Sequence, residues 1–340
     1  MSDGGSDLRC AGCAAVGLDS RRCSSCDREL GYRYVALPGH DPTPCAQCGG
    51  TRFDADGRCA HCGRPRPVPD RSAADLGAVA LLTDRGIVHG RNEDAVAAGV
   101  LDSAITGSSP AVVIAVSDGV STSARPQVAS GAAVRAGVGA TAAALAAGQP
   151  ASDAIMLGLA AAAQAVRDVD VPDGPAPSCT YVSAIVVHDE ADTEITVANV
   201  GDSRAYWLPE AAAQARRLTV DDSWAQALVD AGALDEQAAM ADPRAHTLIR
   251  WLGADSPPEP WADNCVRTVR ATGPGMLLLC SDGLWNYLPA ASALADKVAG
   301  AAPAVAANGL AEFALGCGGG DNITVALVPV PWRGRRDDDR

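Results

Sequence analysis

Lysine is nearly absent from this chain: Lys297 stands alone among 27 basic residues, a bias that reads as genomic coding preference and assigns no function. Positive charge is scarce as well. The formal net charge is -14, whereas general nucleic-acid binders draw most of their affinity from Lys and Arg on phosphates. Nucleic acid is therefore not the expected partner. No run of about 18 strongly apolar residues is present, and no basic-then-apolar leader opens the sequence. Those two absences predict no membrane span and a cytoplasmic location. The acidic excess is uneven: residues 1–72 hold 10 Arg against 9 acids, leaving 17 basic and 32 acidic residues for the remainder. With 340 residues, 48% of them hydrophobic, the chain suffices for one core with small appendages.

Of the 12 cysteines, eight form four C-x-x-C pairs before residue 63. Cys10, Cys13, Cys23 and Cys26 make one unit; Cys45, Cys48, Cys59 and Cys62 make a second. Two such turns joined by a short hairpin complete a tetrahedral Zn(II) shell of four thiolates. Gly49, Gly50 and Gly63 suit the tight turns. Redox-active pairs are the competing reading, and interleaved ligation, with the first pair meeting the third, stays open. His40 and His61 are read as surface residues. Because protein supplies every ligand, the two zincs are structural or serve recognition. Cys179, Cys265, Cys280 and Cys317 are expected to be small buried hydrophobes. The resulting boundaries are ribbon 1 over 1–30, ribbon 2 over 31–63, a Pro/Arg-rich linker over 64–75, one large domain over 76–330, and a charged tail over 331–340.

In the large domain, apolar runs of strand length (79–83, 112–116, 180–187, 195–200, 205–208, 276–280, 323–328) alternate with alanine-rich helical stretches (128–147, 151–166, 290–315). Strands come in groups and helices in pairs, which predicts α+β layers with antiparallel sheets. At the ends of those runs stand Glu93, Asp94, Asp118, Asp282 and Asp321. Carboxylates gathered by a fold repel one another unless protons or cations intervene, so their convergence calls for bound metal.

The segments DRGIVHGRNED (84–94), AVSDG (115–119), SCTYVSAIV (178–186), NVGDSRAYWL (199–208), LTVDDSW (218–224), LLCSDGLWNYL (278–288) and GGGDNITVALV (318–328) follow in that order. They resemble the motifs of the type 2C metal-dependent Ser/Thr protein phosphatases of bacteria, over about 76–330. The resemblance implies two antiparallel sheets in a central sandwich flanked by helix pairs, with a dinuclear Mg(II) or Mn(II) site. By position Asp118 would bridge both ions, Asp282 and Asp321 would hold the first, and the Gly119 carbonyl with Glu93 the second. Asp94 would accept a hydrogen bond from the attacking water, which two cations activate as hydroxide while clamping phosphoryl oxygens. Asp202 would help hold a weaker third ion; turn stabilisation is its other reading.

Two departures stand out. His89 occupies the place of a phosphate-binding Arg, with Arg91 and Arg85 nearby, and imidazole lacks the bidentate fork of guanidinium. After Gly119, Val120 to Ser123 replace a His or Gly-rich continuation, leaving water, Ser121 or Ser123 to protonate the leaving group. Residues 223–253 resemble the variable flap of bacterial members, acting in substrate choice or as a cover packed by Trp224, Leu228 and Trp251. Trp207, Trp285 and Tyr287 read as core or rim aromatics. The implied activity is hydrolysis of phosphoserine and phosphothreonine in substrates of a Ser/Thr kinase system, with a protein partner at the ribbons. A phosphatase-like scaffold that binds phosphoproteins without turnover is the alternative.

Overall fold

The computed structural model describes residues 32–38, 45, 47–52, 58–64, 70–107, 109–171, 174–188, 193–271 and 273–331. Cys10, Cys13, Cys23, Cys26, His40 and the tail beyond Pro331 lie outside them. In chain order the strands are β1 (Tyr32–Leu37), β2 (Arg71–Asp75), β3 (Ala80–Asp84), β4 (Ala95–Leu101), β5 (Ala111–Ser117), β6 (Ser178–Cys179), β7 (Tyr181–His188), β8 (Thr193–Val200), β9 (Arg204–Pro209), β10 (Arg216–Arg217), β11 (Leu252–Gly253), β12 (Val266–Ala271), β13 (Gly275–Cys280) and β14 (Ile323–Val330). The helices are α1 (Ser103–Thr106), α2 (Pro126–Ala146), α3 (Ala151–Arg167), α4 (Trp224–Asp230), α5 (Glu236–Met240), α6 (Asp282–Trp285), α7 (Ala291–Val298) and α8 (Pro303–Gly316).

Two six-stranded sheets form, in the orders β1-β4-β5-β7-β8-β12 and β10-β9-β13-β14-β3-β2, and every pairing in them is antiparallel. The run AVVIAVS of β5 is apolar throughout because both faces are covered. Val112, Ile114 and Val116 meet Leu277, Leu279, Ala326 and Val328 of the facing sheet, while Ala111, Val113 and Ala115 turn toward α2 and α3. On the other side, α7 and α8 cover β13 and β14 through Leu294, Leu310 and Leu278. The α+β sandwich of antiparallel sheets is thus as expected, each layer bound by side chains that alternate along its strands.

Several boundaries differ from the sequence expectation. Tyr32–Leu37, assigned to ribbon 2, is an edge strand of the first sheet, with Tyr32 and Leu37 buried. Arg71–Asp75, assigned to the linker, pairs with β3 along its whole length. The 290–315 stretch divides into α7 and α8 around Gly300, whose φ of +69° belongs to the left-handed region. By length and composition α2 is apolar enough to cross a membrane, contrary to expectation, but 67% of its most apolar stretch is buried in the fold. Cys179, Cys265 and Cys280 are buried as expected; Cys317 is exposed, at the C-terminal end of α8.

Candidate metal centre

Asp118 follows the last residue of β5 at one end of the sandwich, and the motif around Thr180 holds it there. Thr180 N donates to Asp118 O at 2.8 Å, Asp118 N donates to Thr180 Oγ1 at 3.0 Å, and Ser203 Oγ sits 2.8 Å from the same hydroxyl. Asp282 opens α6 directly after β13, and Asp321 precedes β14. Two glycines permit the convergence. A Cβ on Gly283 would lie 2.0 Å from Asn322 O, and one on Gly119 would lie 2.6 Å from Pro126 O. Any larger residue would push these segments apart.

The carboxylates act on one another. Burial first, then repulsion from Asp94, Asp282, Asp321 and Asp202, pushes Asp118 well above the usual carboxylate range. Burial and then Asp321 raise Asp282 to about 6, with Asp118 within hydrogen-bonding reach of it. Burial likewise raises Asp94. Asp94 Oδ2 accepts from Ser281 Oγ at 2.7 Å, but Asp94 Oδ1 and Asp282 Oδ1 are buried without any hydrogen-bond partner. Orphaned carboxylate oxygens are costly. An oxygen-only donor set of this kind fits hard divalent cations, which answer both the repulsion and the orphaned atoms.

Asn322 sets the rim. Its side-chain oxygen accepts from Glu93 N at 2.7 Å, and its amide donates to Arg85 O and Arg91 O at 2.7 and 3.1 Å. One residue beside Asp321 therefore clamps the 85–93 loop over the centre.

A profile of the protein phosphatase 2C family matches residues 89–314. This chain belongs to the protein phosphatase 2C family. Among its relatives, the serine/threonine phosphatase Stp of Listeria innocua is 36% identical over 149 residues, 44% of this chain and 55% of that protein. The serine/threonine protein phosphatase PstP of Mycobacterium tuberculosis is 31% identical over 258 residues, 74% of this chain and 44% of that protein. The chain thus spans about half the length of these relatives. The crystal structure of the PPM Ser-Thr phosphatase MsPP from Mycobacterium smegmatis, in complex with cacodylate, superposes with a TM-score of 0.55 at 28% identity, covering 75% of this chain and 99% of that one.

In this phosphatase 2C fold the rim residues have definite partners. His89 Nε2 lies 3.2 Å from Asp321 Oδ1. Arg85 is turned away, bonded to Asp70 at 2.8 Å and to the His89 carbonyl. Both Glu93 oxygens are engaged, Oε1 by Arg91 Nε at 2.7 Å and Oε2 by Ser121 Oγ at 2.5 Å. Gly119 N donates to Glu93 O at 3.2 Å. Ser123 Oγ is committed to Ser178, donating to its carbonyl at 3.4 Å and accepting from its N–H at 3.2 Å. Neither serine hydroxyl is free to act on a leaving group.

The flap side of the phosphatase 2C centre holds a residue that sequence reasoning missed. Ligand atoms of Asp202, His246 and Asp282 lie within 4.8 Å of one another. Trp285 unites them: its Nε1 donates to Asp202 O at 2.9 Å, its ring stacks on His246 at 5.7 Å, and it ends the helix that Asp282 begins. Burial, then the Arg204 charge, lowers the His246 imidazole below its ordinary range, which favours the neutral, ligating form. No periodicity in DPRAHTLIRWLG signals this; only the way the flap folds back does. Its return is fixed by Arg250 Nη1 on Asp222 Oδ1 at 2.7 Å and by Ile249 N on Asp222 O at 2.9 Å. Trp224 stacks under Arg244, while Ala225, Ala239 and Ala245 pack with Leu228. Trp207 and Trp285 are core residues, and the Tyr287 hydroxyl accepts from Gly320 N at 2.8 Å beside the centre.

Apart from this centre, Cys45, Cys48, Cys59 and Cys62 place their sulfurs within 4.8 Å of one another. The Sγ pairs Cys45 with Cys62 and Cys48 with Cys59 lie 3.5 and 3.4 Å apart, near the ~3.8 Å edge of a tetrahedron with 2.3 Å metal–sulfur bonds. Backbone N–H groups of Gln47 and Cys48 draw the Cys45 thiol down to about 6, and those of His61 and Cys62 lower Cys59. Gly49 and Gly63 close the paired turns with N–H bonds of 2.8 Å to Cys45 O and Cys59 O. Among the described residues, Cys45, Cys48, Cys59 and Cys62 gather together, and His61 is exposed.

Proposed function

We propose that this protein is a metal-dependent phosphoprotein phosphatase that hydrolyses phosphoserine and phosphothreonine. The observation that carries the reading is the pair of orphaned buried oxygens, Asp94 Oδ1 and Asp282 Oδ1, among mutually repelling carboxylates. Asp118, Asp282 and Asp321 would hold two Mn(II) or Mg(II) ions, aided by the Gly119 carbonyl and by Glu93 through water. Bound there, the pair supplies an acidified water and neutralises phosphoryl oxygens. Asp94 accepts the proton of the attacking water at Oδ1, the oxygen that Ser281 leaves open. Arg91, its Nε on Glu93 and its side chain 54% exposed, offers Nη1 and Nη2 to phosphate, while His89, its Nε2 on Asp321 Oδ1 at 3.2 Å, orients that carboxylate. Water protonates the leaving group, since both nearby serines are engaged.

Release of phosphate from a phosphothreonine peptide in Mn(II) tests the proposal. Wild-type turnover should exceed that of Asp282→Ala by at least about a thousandfold. Equal, negligible rates in both would leave a phosphoprotein-binding scaffold in its place. Asp202, His246 and Asp282 form a third, weaker cation site that assists turnover. His246→Ala should raise the Mn(II) concentration for half-maximal activity several-fold; an unchanged metal titration counts against it. The thiolate cluster of Cys45, Cys48, Cys59 and Cys62 holds a structural Zn(II), and Cys10, Cys13, Cys23 and Cys26 hold a second. Substrates are phosphoproteins of a cytoplasmic Ser/Thr kinase system, and the ribbons engage protein rather than nucleic acid.

A further inference from the structure

Asp94 has one bonded and one unbonded oxygen, and the bonded one is held from behind by a row of hydroxyls. Cys280, the last residue of β13, pairs with Val325 of β14. Ser281 therefore follows opposite Thr324, to whose carbonyl its N–H donates at 3.1 Å. Thr324 in turn pairs with Thr83 of β3. Residues directly opposite on antiparallel strands share a face of the sheet. Ser281, Thr324 and Thr83, all buried, thus form a row across three neighbouring strands at the end where the carboxylates gather.

Each hydroxyl carries a single proton, and its partners fix where that proton goes. Ser281 Oγ accepts from Thr324 N at 3.0 Å. Its own proton goes to Asp94 Oδ2 at 2.7 Å rather than to the Asn322 carbonyl at 3.3 Å, because the charged acceptor at shorter range binds it more strongly. On the other side Asn92 Nδ2 donates to Thr83 Oγ1 at 2.8 Å, the Thr83 and Thr324 hydroxyls lie 2.7 Å apart, and Thr324 is within hydrogen-bonding reach of the Asp94 carboxylate. An ionised carboxylate only accepts. The donors therefore run one way, from Asn92 to Thr83 to Thr324 to Asp94. The Asp94 N–H closes the ring on Asn92 Oδ1 at 3.1 Å. Hydrogen bonds in a buried chain of this kind reinforce one another. Oδ1, by contrast, has no partner among the described residues.

We propose that Ser281 and Thr324 are positioning residues for the hydrolytic step: together they hold Asp94 through one side of its carboxylate and keep Oδ1 aimed at the attacking water. This inference rests on the phosphatase reading and deepens it by naming what orients its base. A carboxylate free to turn about its Cβ–Cγ bond would present either oxygen, at varying distance, to the water or to the cations beside it. Pinned by two hydroxyls, it offers one acceptor in one place, which is where the rate advantage of a base held in reacting geometry arises.

The test uses the full chain in Mn(II) with a phosphothreonine peptide and with p-nitrophenyl phosphate. Thr324→Val keeps the shape and strand preference of the side chain and removes its hydroxyl, while Ser281→Ala removes the nearer donor. Each should lower kcat about tenfold on both substrates alike, with KM and the half-saturating Mn(II) within about twofold of wild type, and Thr324→Ser should restore most of the loss. Introduced into Asp94→Ala, where no carboxylate remains to be oriented, neither change should lower kcat further. Equal fractional losses with and without Asp94 overturn the proposal. So does a raised half-saturating Mn(II) with kcat recovered at saturation, which would assign Ser281 to the support of its neighbour Asp282. A wild-type chain inactive on both substrates overturns the phosphatase reading and this positioning role with it.

Discussion

Asp118→Asn is expected to reduce Mn(II)-dependent phosphate release by a factor of about a thousand or more, and at the same time to make the metal-free protein more stable at pH 7. The two effects share one cause. Asp118 is buried and faces Asp94, Asp282, Asp321 and Asp202, so its charge is needed for cations and harmful without them. The sign follows from the raised values. A carboxyl raised on folding contributes its stability below its unfolded pKa and loses it as pH climbs through the folded one. For Asp282 that window runs from 3.8 to about 6, equivalent to roughly 3 kcal/mol. Denaturant unfolding in chelator should therefore show Asp118→Asn more stable than wild type at pH 7, with the difference vanishing near pH 4. Added Mn(II) at pH 7 should reverse the order. A difference independent of pH would contradict the proposed source of the strain.

Arg204→Ala should destabilise the fold by about 3–5 kcal/mol, the usual result of stripping one partner from a buried ion pair. Arg204 and Asp221 are each 4% exposed and meet through Nη2 at 2.6 Å, and the guanidinium lies 3.6 Å over the Trp285 ring. Removal would leave Asp221 with only the longer 3.6 Å pair to Arg217 and one face of Trp285 bare, loosening the residue that joins Asp202, His246 and Asp282. The double change Arg204→Met with Asp221→Leu should recover most of the stability while activity stays low, because the support for Trp285 differs. Equilibrium urea unfolding measures the first effect and Mn(II) titration the second. A single variant as stable as wild type would mean that Arg217 or water relieves Asp221.

Strands with β-branched runs, such as Val112–Val116 and Ile195–Val200, were legible because their composition matches a pleated surface covered on both sides. β4 was not: AVAAGVL reads as weak strand, and only its fully buried place between β1 and β5 makes it one. β12, VRTVRA, is a half-exposed edge strand of little apolar weight. At the site, Asp118, Asp282 and Asp321 were readable because each ends or begins an apolar run. The roles of Ser281, Asn322 and His246 were not, since each depends on contacts made across long sequence separations. Sequence also could not show that Ser121 and Arg91 already occupy Glu93, which is a matter of side-chain geometry.

β1 and β2 come from before residue 76, yet each lies at the rim of a sheet, shielding β4 and β3 respectively. Their backbone groups fill hydrogen-bonding positions that would otherwise be open to other chains. The segment that bears the cysteines is therefore also a protective hem for the two sheets. A polypeptide that began at residue 76 would lack that hem, and its bare strand margins would invite self-association.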